Sequence, residues 1–293
     1  MQDVTSRTAQ QVALFRALES ARRGKRLFVD TYAVRFLPLR YRWVVRLARL
    51  PVLGRRIERY IDEGWPAGPR ASAVVRTKLI DDVLTAELRR GARQVVLLGA
   101  GLDSRAYRIP AMATTQVFEV DHPATQATKR RLLAAQVRPD RRTHVHFVPV
   151  DLVKNDLAAA LSDAGFVPAQ RTVVIWEGVT NYLTAPAVDT TLRSLAAMTG
   201  RGSHIVFTYI DQAALNGSGT FSGVDEWHAV VRAGGEPWTF GFHPAELPDY
   251  LAERGLMLRA DLSAPEAAAR YLTPLGRDEP TAPFYRIADA EVL

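Results

Sequence analysis

A short apolar run that ends in a pair of glycines most constrains how this chain can fold. The run spans residues 94–99, and the chain continues through Ala100 and Gly101. Apolar, β-branched residues in a row are typical of a buried parallel strand, and glycine permits the unusual backbone angles of a tight turn. A strand, a Gly-x-Gly turn and a helix together form the nucleotide-binding corner of an α/β sheet. We therefore predict such a corner at residues 94–105.

Further segments with strand character follow this corner and alternate with segments of helical pattern. The predicted strands lie at 116–120, 145–150, 173–176, 203–209, 256–261 and 284–288. The predicted helices between and after them lie at 122–136, 154–164, 185–199, 227–233 and 244–254. This alternation is typical of a parallel sheet covered on both faces. The predicted fold class is α/β, with a doubly wound, mostly parallel, Rossmann-like sheet of seven strands.

The first 90 residues carry helical patterns without a strand pattern. We expect residues 1–90 to form a helical N-terminal cap, residues 91–293 to form the cofactor-binding domain, and a cap insertion within that domain at about 211–245. Residues 1–60 are strongly basic, with 14 Lys and Arg against 4 Asp and Glu, whereas the whole chain has a net charge of +7. Such an arm is compatible with a solvated helical face, nucleic acid, an acidic lipid surface or an acidic partner protein.

Several classes of protein are excluded by what the sequence lacks. The absence of cysteine excludes disulfides and thiolate metal sites, and His144 with His146 lacks a third ligand, so we expect no metal. No apolar run reaches the roughly 18 residues of a membrane span, and no secretory signal is recognisable. No nucleic-acid-binding signature is present. We expect a cytoplasmic protein without a nucleic-acid partner, and the oligomeric state stays open.

Acidic residues follow three successive predicted strands, at the edge where open α/β sheets bind ligands. Glu119 and Asp121 lie at the end of the second strand, Asp151 ends the third and Glu177 ends the fourth. Each alone is also compatible with a helix N-cap. Together they suit a nucleoside, because a carboxylate can accept bonds from both ribose hydroxyls. Asp151 with the apolar Leu152 could hold an adenine ring.

The residues of the glycine turn distinguish between possible cofactors. A dinucleotide pyrophosphate favours a third glycine and no nearby anion, but Ser104 occupies that position and Asp103 lies in the turn. S-adenosylmethionine is a net cation, so an acid-rimmed turn suits it better. Its one carboxylate needs a cationic partner, for which Arg76 and Arg105 are candidates because arginine binds carboxylates through two parallel bonds.

Five sequence motifs resemble those of the leucine carboxyl methyltransferase family, which includes enzymes acting on protein phosphatase 2A and many bacterial enzymes, some from polyketide pathways. The resemblance runs from about residue 70 to 210 and implies a class I methyltransferase with S-adenosylmethionine as cofactor and S-adenosylhomocysteine as product. The motifs are Arg-Thr-Lys-Leu-Ile-Asp-Asp at 76–82, Leu-Gly-Ala-Gly-Leu-Asp-Ser-Arg-Ala-Tyr-Arg at 98–108, Phe-Glu-Val-Asp-His-Pro at 118–123, Val-Asp-Leu at 150–152 and Glu-Gly-Val-Thr-Asn-Tyr-Leu at 177–183.

The resemblance implies a role for each matching position. Arg76 would hold the methionyl carboxylate and Glu177 the ammonium, while Asp121, more than Glu119, would bind the ribose. Tyr182 would line the acceptor pocket. The residues expected to bind the cofactor are Arg76, Gly99, Ala100, Gly101, Glu119, Asp121, Asp151, Leu152, Glu177 and Gly178.

Methyl transfer from this cofactor is an in-line displacement, and its need for a base depends on the acceptor. A carboxylate is already ionised, whereas a hydroxyl benefits from a general base. His122, His228 and His243 are candidates for that base, together with Tyr209 and Asp211. His228 and His243 lead because they lie in the predicted cap insertion. We favour a carboxylate acceptor, with a hydroxyl as the alternative.

The expected activity is O-methylation of a small molecule such as a polyketide-type natural product. An NAD(P)-dependent oxidoreductase and a cofactor-binding protein without catalysis remain as alternatives. Binding assays with both cofactors and a turnover assay separate the three. Aromatic residues could wall an apolar acceptor pocket, and they are Phe28, Tyr32, Trp43, Trp227, Trp238, Phe240 and Phe242.

Overall fold

The fold is built on a seven-stranded sheet with strand order β3-β2-β1-β4-β5-β7-β6. The computed structural model describes residues 7–64, 68–152, 154–233, 235 and 237–293. Strand β7 runs antiparallel to both its neighbours, and the other strands run parallel to one another. The predicted doubly wound, mostly parallel sheet is therefore confirmed. The strands are β1 Gln94–Leu98, β2 Gln116–Asp121, β3 Val145–Pro149, β4 Thr172–Trp176, β5 His204–Ile210, β6 Leu256–Ser263 and β7 Tyr285–Val292.

Helices cover both faces of the sheet, and several further helices precede β1. None of the helices among the described residues is long and apolar enough to cross a membrane. The helices are α1 Arg7–Ala21, α2 Ala33–Phe36, α3 Leu39–Ala48, α4 Pro51–Gly64, α5 Pro69–Arg89, α6 Arg105–Arg108, α7 Pro123–Gln136, α8 Leu157–Asp163, α9 Ala185–Met198, α10 Gln212–Leu215, α11 Val224–Ala233, α12 Leu247–Ala252 and α13 Ala264–Tyr271.

The central strands are buried on both faces, which explains why they lack an apolar–polar alternation. In β1, Val96 and Leu98 face one apolar core, whereas Val95 and Leu97 face the other. Successive side chains of a strand point to opposite faces, so a strand between two helical layers must be apolar throughout. The same burial is found along all of β4 and β5. The carboxyl ends of these strands are therefore held in place by packing on both faces of the sheet, and they can position the residues of a site.

The N-terminal helices are joined to the sheet domain by buried polar contacts as well as by an apolar core. Asp30 accepts a hydrogen bond from Ser104 Oγ at 2.6 Å and lies 3.3 Å from Arg16 Nε. Glu19 of α1 accepts two hydrogen bonds of 2.8 Å from Arg277, near the other end of the chain. Since Arg16, Glu19, Asp30 and Ser104 are buried, these contacts fix α1 against the sheet domain. The predicted division at residue 90 stays a prediction.

Two local features of the helices follow from residue types at their first turns. Pro51 begins α4, because proline is well accommodated in the first turn, where its missing N–H is not needed. Helix α13 was not predicted. It begins with a capping box, in which Ser263 and Glu266 each bond the backbone of the other, and it buries Ala264 and Ala267.

Candidate active site

The carboxyl ends of the parallel strands open into a cavity of about 600 Å³. Its size lies within the range of small-molecule sites in proteins. Helix α1 closes one side, and the segment around Trp227 and Trp238 closes another. Most predicted cofactor residues line this cavity: Arg76, Gly99, Ala100, Gly101, Asp121, Asp151, Leu152, Glu177 and Gly178.

The turn after β1 is held in place by Asp121. Gly101 N donates to Asp121 Oδ2 at 2.6 Å, and His122 N donates to Asp121 Oδ1 at 2.7 Å. Gly99 has a φ of +66°, and a Cβ built on it would lie 2.3 Å from Val179 Cγ2. Only glycine fits there, so the turn stays close to the segment that follows β4. Burial raises the pKa of Asp121 above its usual value.

Glu119, the other acid predicted near the ribose, does not face the cavity with its side chain. Glu119 lies two residues before Asp121 in β2, and it is 1% exposed. Lys129 Nζ of α7 lies 2.8 Å from its Oε2, and the Tyr107 hydroxyl donates to its Oε1 at 3.0 Å. The structure therefore gives Glu119 a role in anchoring α7, and of the two predicted ribose acids only Asp121 reaches the cavity.

Arg76 and Glu177 lie side by side in the cavity wall. Arg76 Nε donates to Glu177 Oε1 at 2.6 Å, and Arg76 Nη1 donates to the Tyr285 hydroxyl at 2.8 Å. The Tyr285 hydroxyl also lies 3.1 Å from Thr208 Oγ1, which accepts a bond from Gly178 N. Sequence reasoning missed Tyr285 as a lining residue, because β7 runs antiparallel and carries no motif that marks its first residue.

Arg105, the other candidate for the methionyl carboxylate, is fully buried instead of lining the cavity. Its guanidinium contacts Asp81 at 2.8 Å, Glu177 at 2.6 Å and also Asp103. Arg76 is thus the arginine of the pair that a ligand can reach. The sequence predicted a turn surrounded by negative charges. In the structure, the positive charges of the two arginines balance the negative charges of these acidic residues.

The charges of this network stay ionised at neutral pH. Burial by itself would raise the pKa of Glu177, but the guanidinium groups of Arg105 and Arg76 outweigh it and lower the pKa to about 2. At Asp103, burial likewise favours a higher pKa, but the positive charge of Arg105 outweighs it and holds the pKa below its usual value. The site therefore presents fixed, alternating charges that need no protonation change to meet a zwitterion.

The opposite end of the cavity is formed by the residues after β3. Asp151 and Leu152 both line it, and Lys154 Nζ lies 3.2 Å from Asp151 Oδ2. Asp151 N donates to Asn155 Oδ1 at 2.9 Å, which fixes the backbone of the turn. Leu152 also packs against the apolar core. A carboxylate and an apolar side chain therefore both line this part of the cavity.

The two leading base candidates, His228 and His243, do not line the cavity. His228 lies behind Trp238, with the ring centroids 4.9 Å apart and nearly perpendicular, and it faces a smaller neighbouring cavity. Burial lowers the pKa of His228. His243 lies just before α12 and lines neither of these two cavities. His122 does line the main cavity, beside Asp121.

Another part of the cavity wall combines Tyr182 with apolar residues from two separate parts of the chain. Trp227 and Trp238 contribute from one side, and Val12 and Phe15 of α1 from the other. Sequence reasoning placed helical patterns in this part of the chain but assigned no site residue to α1. The remaining predicted aromatic residues, Phe28, Tyr32, Trp43, Phe240 and Phe242, do not line this cavity.

Among the residues with described positions, no group of three His, Asp or Glu side chains is arranged to hold a metal ion. His144 Nε2 instead contacts the Ala106 carbonyl at 3.0 Å, and His146 Nε2 contacts Gln116 Oε1 at 2.6 Å. Both histidines are therefore engaged in structural contacts near the start of β3.

The fold is the Rossmann-like one of class I methyltransferases, and comparison with known proteins identifies the family. The sequence profile of the leucine carboxyl methyltransferase family matches residues 9–196. The chain therefore belongs to this family, as predicted. The match begins well before residue 70, where the predicted resemblance began, so α1 is part of the family pattern.

Bacterial relatives with provisional names as S-adenosyl-L-methionine-dependent methyltransferases support this assignment. A protein of Frankia alni is 40% identical over 203 residues, covering 69% of this chain and 67% of the relative. A protein of Bacillus subtilis is 36% identical over 193 residues, covering 65% and 62%. The chain spans 62% of the Bacillus relative and 52% of a Mycolicibacterium smegmatis relative. The predicted cofactor, S-adenosylmethionine, is confirmed by the family and these relatives.

Solved structures show the same fold at low sequence identity. A protein of the DUF574 family from Streptomyces avermitilis superposes with a TM-score of 0.57 at 15% identity, covering 99% of both chains. A provisionally named methyltransferase from Thermobifida fusca gives a TM-score of 0.55 at 16% identity, covering 96% and 94%. At this identity, the likeness shows the fold alone.

Proposed function

We propose that this protein is an O-methyltransferase that moves a methyl group from S-adenosylmethionine to a carboxylate of a small organic acid, for example a polyketide-type product. The observation that carries the proposal is one continuous cavity lined by Asp151 and Asp121, by Arg76 and Glu177, and by Tyr182 with two tryptophans. Cofactor and acceptor can therefore meet within one enclosed space.

The methionyl end of the cofactor suits the ion pair of Arg76 and Glu177. Arginine pairs with a carboxylate and a carboxylate with an ammonium, so the two side chains complement the two charges of the methionyl group. The Asp121 oxygens each accept one backbone N–H, and each oxygen retains acceptor capacity for a ribose hydroxyl. At the far end, Asp151 and Leu152 provide an acceptor and an apolar face for adenine.

The acceptor end favours a group that needs no base. Of the cavity-lining residues that the structure describes, His122 is the only histidine, and it lies beside the ribose acid Asp121. His228 and His243 do not reach the cavity. A carboxylate is ionised at neutral pH, so its transfer requires positioning and exclusion of water, and these supply several kcal/mol of the barrier. Trp227, Trp238 and Phe15 provide an apolar wall for the body of such an acid.

The test is a transfer assay with S-adenosylmethionine deuterated in the methyl group and a panel of aromatic and aliphatic acids, each paired with the corresponding alcohol or phenol. We expect labelled methyl esters, which mild base cleaves. A labelled product that resists base would show an ether and overturn the carboxylate assignment. Binding of NAD(H) but not of S-adenosylhomocysteine in calorimetry would overturn the methyltransferase proposal itself.

A further inference from the structure

Large apolar side chains that the described structure leaves exposed are concentrated in one segment. The segment is the α3–α4 hairpin, residues 39–64, which the candidate active site does not use. Leu39 is 72% exposed and Trp43 is 59% exposed. Leu47, Leu50 and Val52 are also exposed. A contiguous apolar surface of this kind on a folded domain marks an interaction site.

The exposed residues of α3 lie on one side of the helix. Leu39, Trp43 and Leu47 follow one another at intervals of four residues, so they form a row along the helix surface. Val45 and Ala48, on the opposite side, are buried against α1. The inner side of α3 is therefore packed against the rest of the protein. Packing within the protein does not explain why the outer row is apolar.

Arginines border this apolar row. Residues 39–60 contain seven arginines and a single acidic residue, Glu58, and Glu58 is paired with Arg22 at 2.6 Å. The Arg46 guanidinium lies 5.4 Å from the centre of the Trp43 ring, and Arg40 lies 4.8 Å from that of Tyr41. Residues 61–293 hold 24 basic and 27 acidic residues, so the excess positive charge belongs to the N-terminal part.

We infer that the α3–α4 hairpin binds the surface of an anionic lipid bilayer, with its apolar row at the headgroup boundary and its arginines on lipid phosphates. An exposed apolar row that contains tryptophan and is flanked by cationic residues is typical of helices lying in the membrane interface. Anionic headgroups attract such arginines, and the attraction adds to burial of the apolar row. A second copy of the chain would bring the same positive charges against each other, which disfavours self-association through this surface.

The test measures co-sedimentation of the full chain with vesicles of phosphatidylcholine, with or without roughly 30% phosphatidylglycerol, an anionic lipid that gives the vesicle a negative surface potential. We expect binding only to the anionic vesicles, and weaker binding as salt rises. The triple variant L39S/W43S/L47S and the charge variant R46Q/R49Q should each lower the partition coefficient by about tenfold or more, because each removes one of the two attractive contributions.

Matched controls distinguish the hairpin from general surface effects. V167S removes an exposed apolar side chain elsewhere, and R138Q removes an exposed arginine elsewhere; both should bind vesicles like the wild type. Unchanged S-adenosylhomocysteine affinity and melting temperature show that each variant is folded. Absence of binding to anionic vesicles at low salt, or equal binding by the hairpin variants, would overturn the inference. So would a lipid-independent dimer, seen by light scattering, that L39S/W43S/L47S abolishes.

Discussion

Arg76 and Glu177 are joined by a hydrogen bond of 2.6 Å between Nε and Oε1, although they come from a helix before β1 and from the end of β4. In the proposed function the two side chains bind opposite charges of the same methionyl group. Their pairing means that the binding site is already assembled, and that a change in one side chain affects both cofactor affinity and the local charge balance.

The first prediction concerns the affinity for the cofactor. Glu177→Gln keeps the shape of the side chain but removes the charge that is proposed to attract the methionyl ammonium. We expect binding of S-adenosylmethionine to weaken by about 1–3 kcal/mol, the usual effect of losing a charged hydrogen bond. Calorimetry measures the change, with Glu226→Gln on the exposed side of α11 as control. Equal affinities for the two variants would contradict the role of Glu177.

The second prediction concerns acid stability. The pKa of Glu177 is about 2 in the folded chain, below the usual value of 4.5. Its contribution to the free energy of unfolding is therefore complete above about pH 4.5 and is lost as the pH falls toward 2. The difference between wild type and Glu177→Gln should narrow by about 2 kcal/mol between pH 6 and pH 3. Urea unfolding at several pH values measures it, and a difference independent of pH would show that the pKa is not lowered.

The third prediction concerns the attachment of the N-terminal helices. Asp30 accepts bonds from Ser104 and from the backbone N–H groups of Tyr32 and Ala33. Asp30→Ala leaves these buried donors and Arg16 without their acceptor, so the free energy of unfolding should fall by about 3–5 kcal/mol. Asp140→Ala removes an exposed acid paired only with Arg138 in the described contacts and should change it by under about 0.5 kcal/mol. Similar losses of unfolding free energy in the two variants would contradict the role of Asp30 in attaching the N-terminal helices.

The sheet could be predicted from the sequence because its strands are short apolar runs separated by glycines and helical periods. The position of the acids could be predicted for the same reason, since the carboxyl ends of parallel strands meet at one edge. What could not be predicted depended on packing between distant segments. The burial of Glu119 requires Lys129 on α7, and the placement of His228 behind Trp238 requires the fold of the α11 region. Tyr285 reaches Arg76 across more than 200 residues of sequence.

The fourth prediction concerns the proposed absence of a general base. His228→Ala and His243→Ala should each change the transfer rate by less than about tenfold, because neither side chain reaches the described cavity walls, whereas loss of a true base lowers the rate by ~10²–10⁴. His144→Ala, at a site remote from the cavity walls, is the control. The rate should also be flat through the histidine pKa region near pH 6–7. Two results together would indicate a hydroxyl acceptor instead: a wild-type rate that rises between about pH 6 and pH 7, and a much lower rate in His228→Ala or His243→Ala.

We expect the cavity at the carboxyl edge of the sheet to hold the adenosyl group beside Asp151. Calorimetric titration with S-adenosylhomocysteine tests this placement, with Asp156→Asn as the matched control. Asp156 caps α8 and lies outside the cavity walls, and asparagine caps a helix as well as aspartate does. We predict that Asp151→Asn weakens binding by about 5- to 150-fold, corresponding to about 1–3 kcal/mol, while Asp156→Asn stays within about twofold of wild type. Equal affinities in a folded Asp151→Asn variant, or no binding by the wild type, would contradict the account.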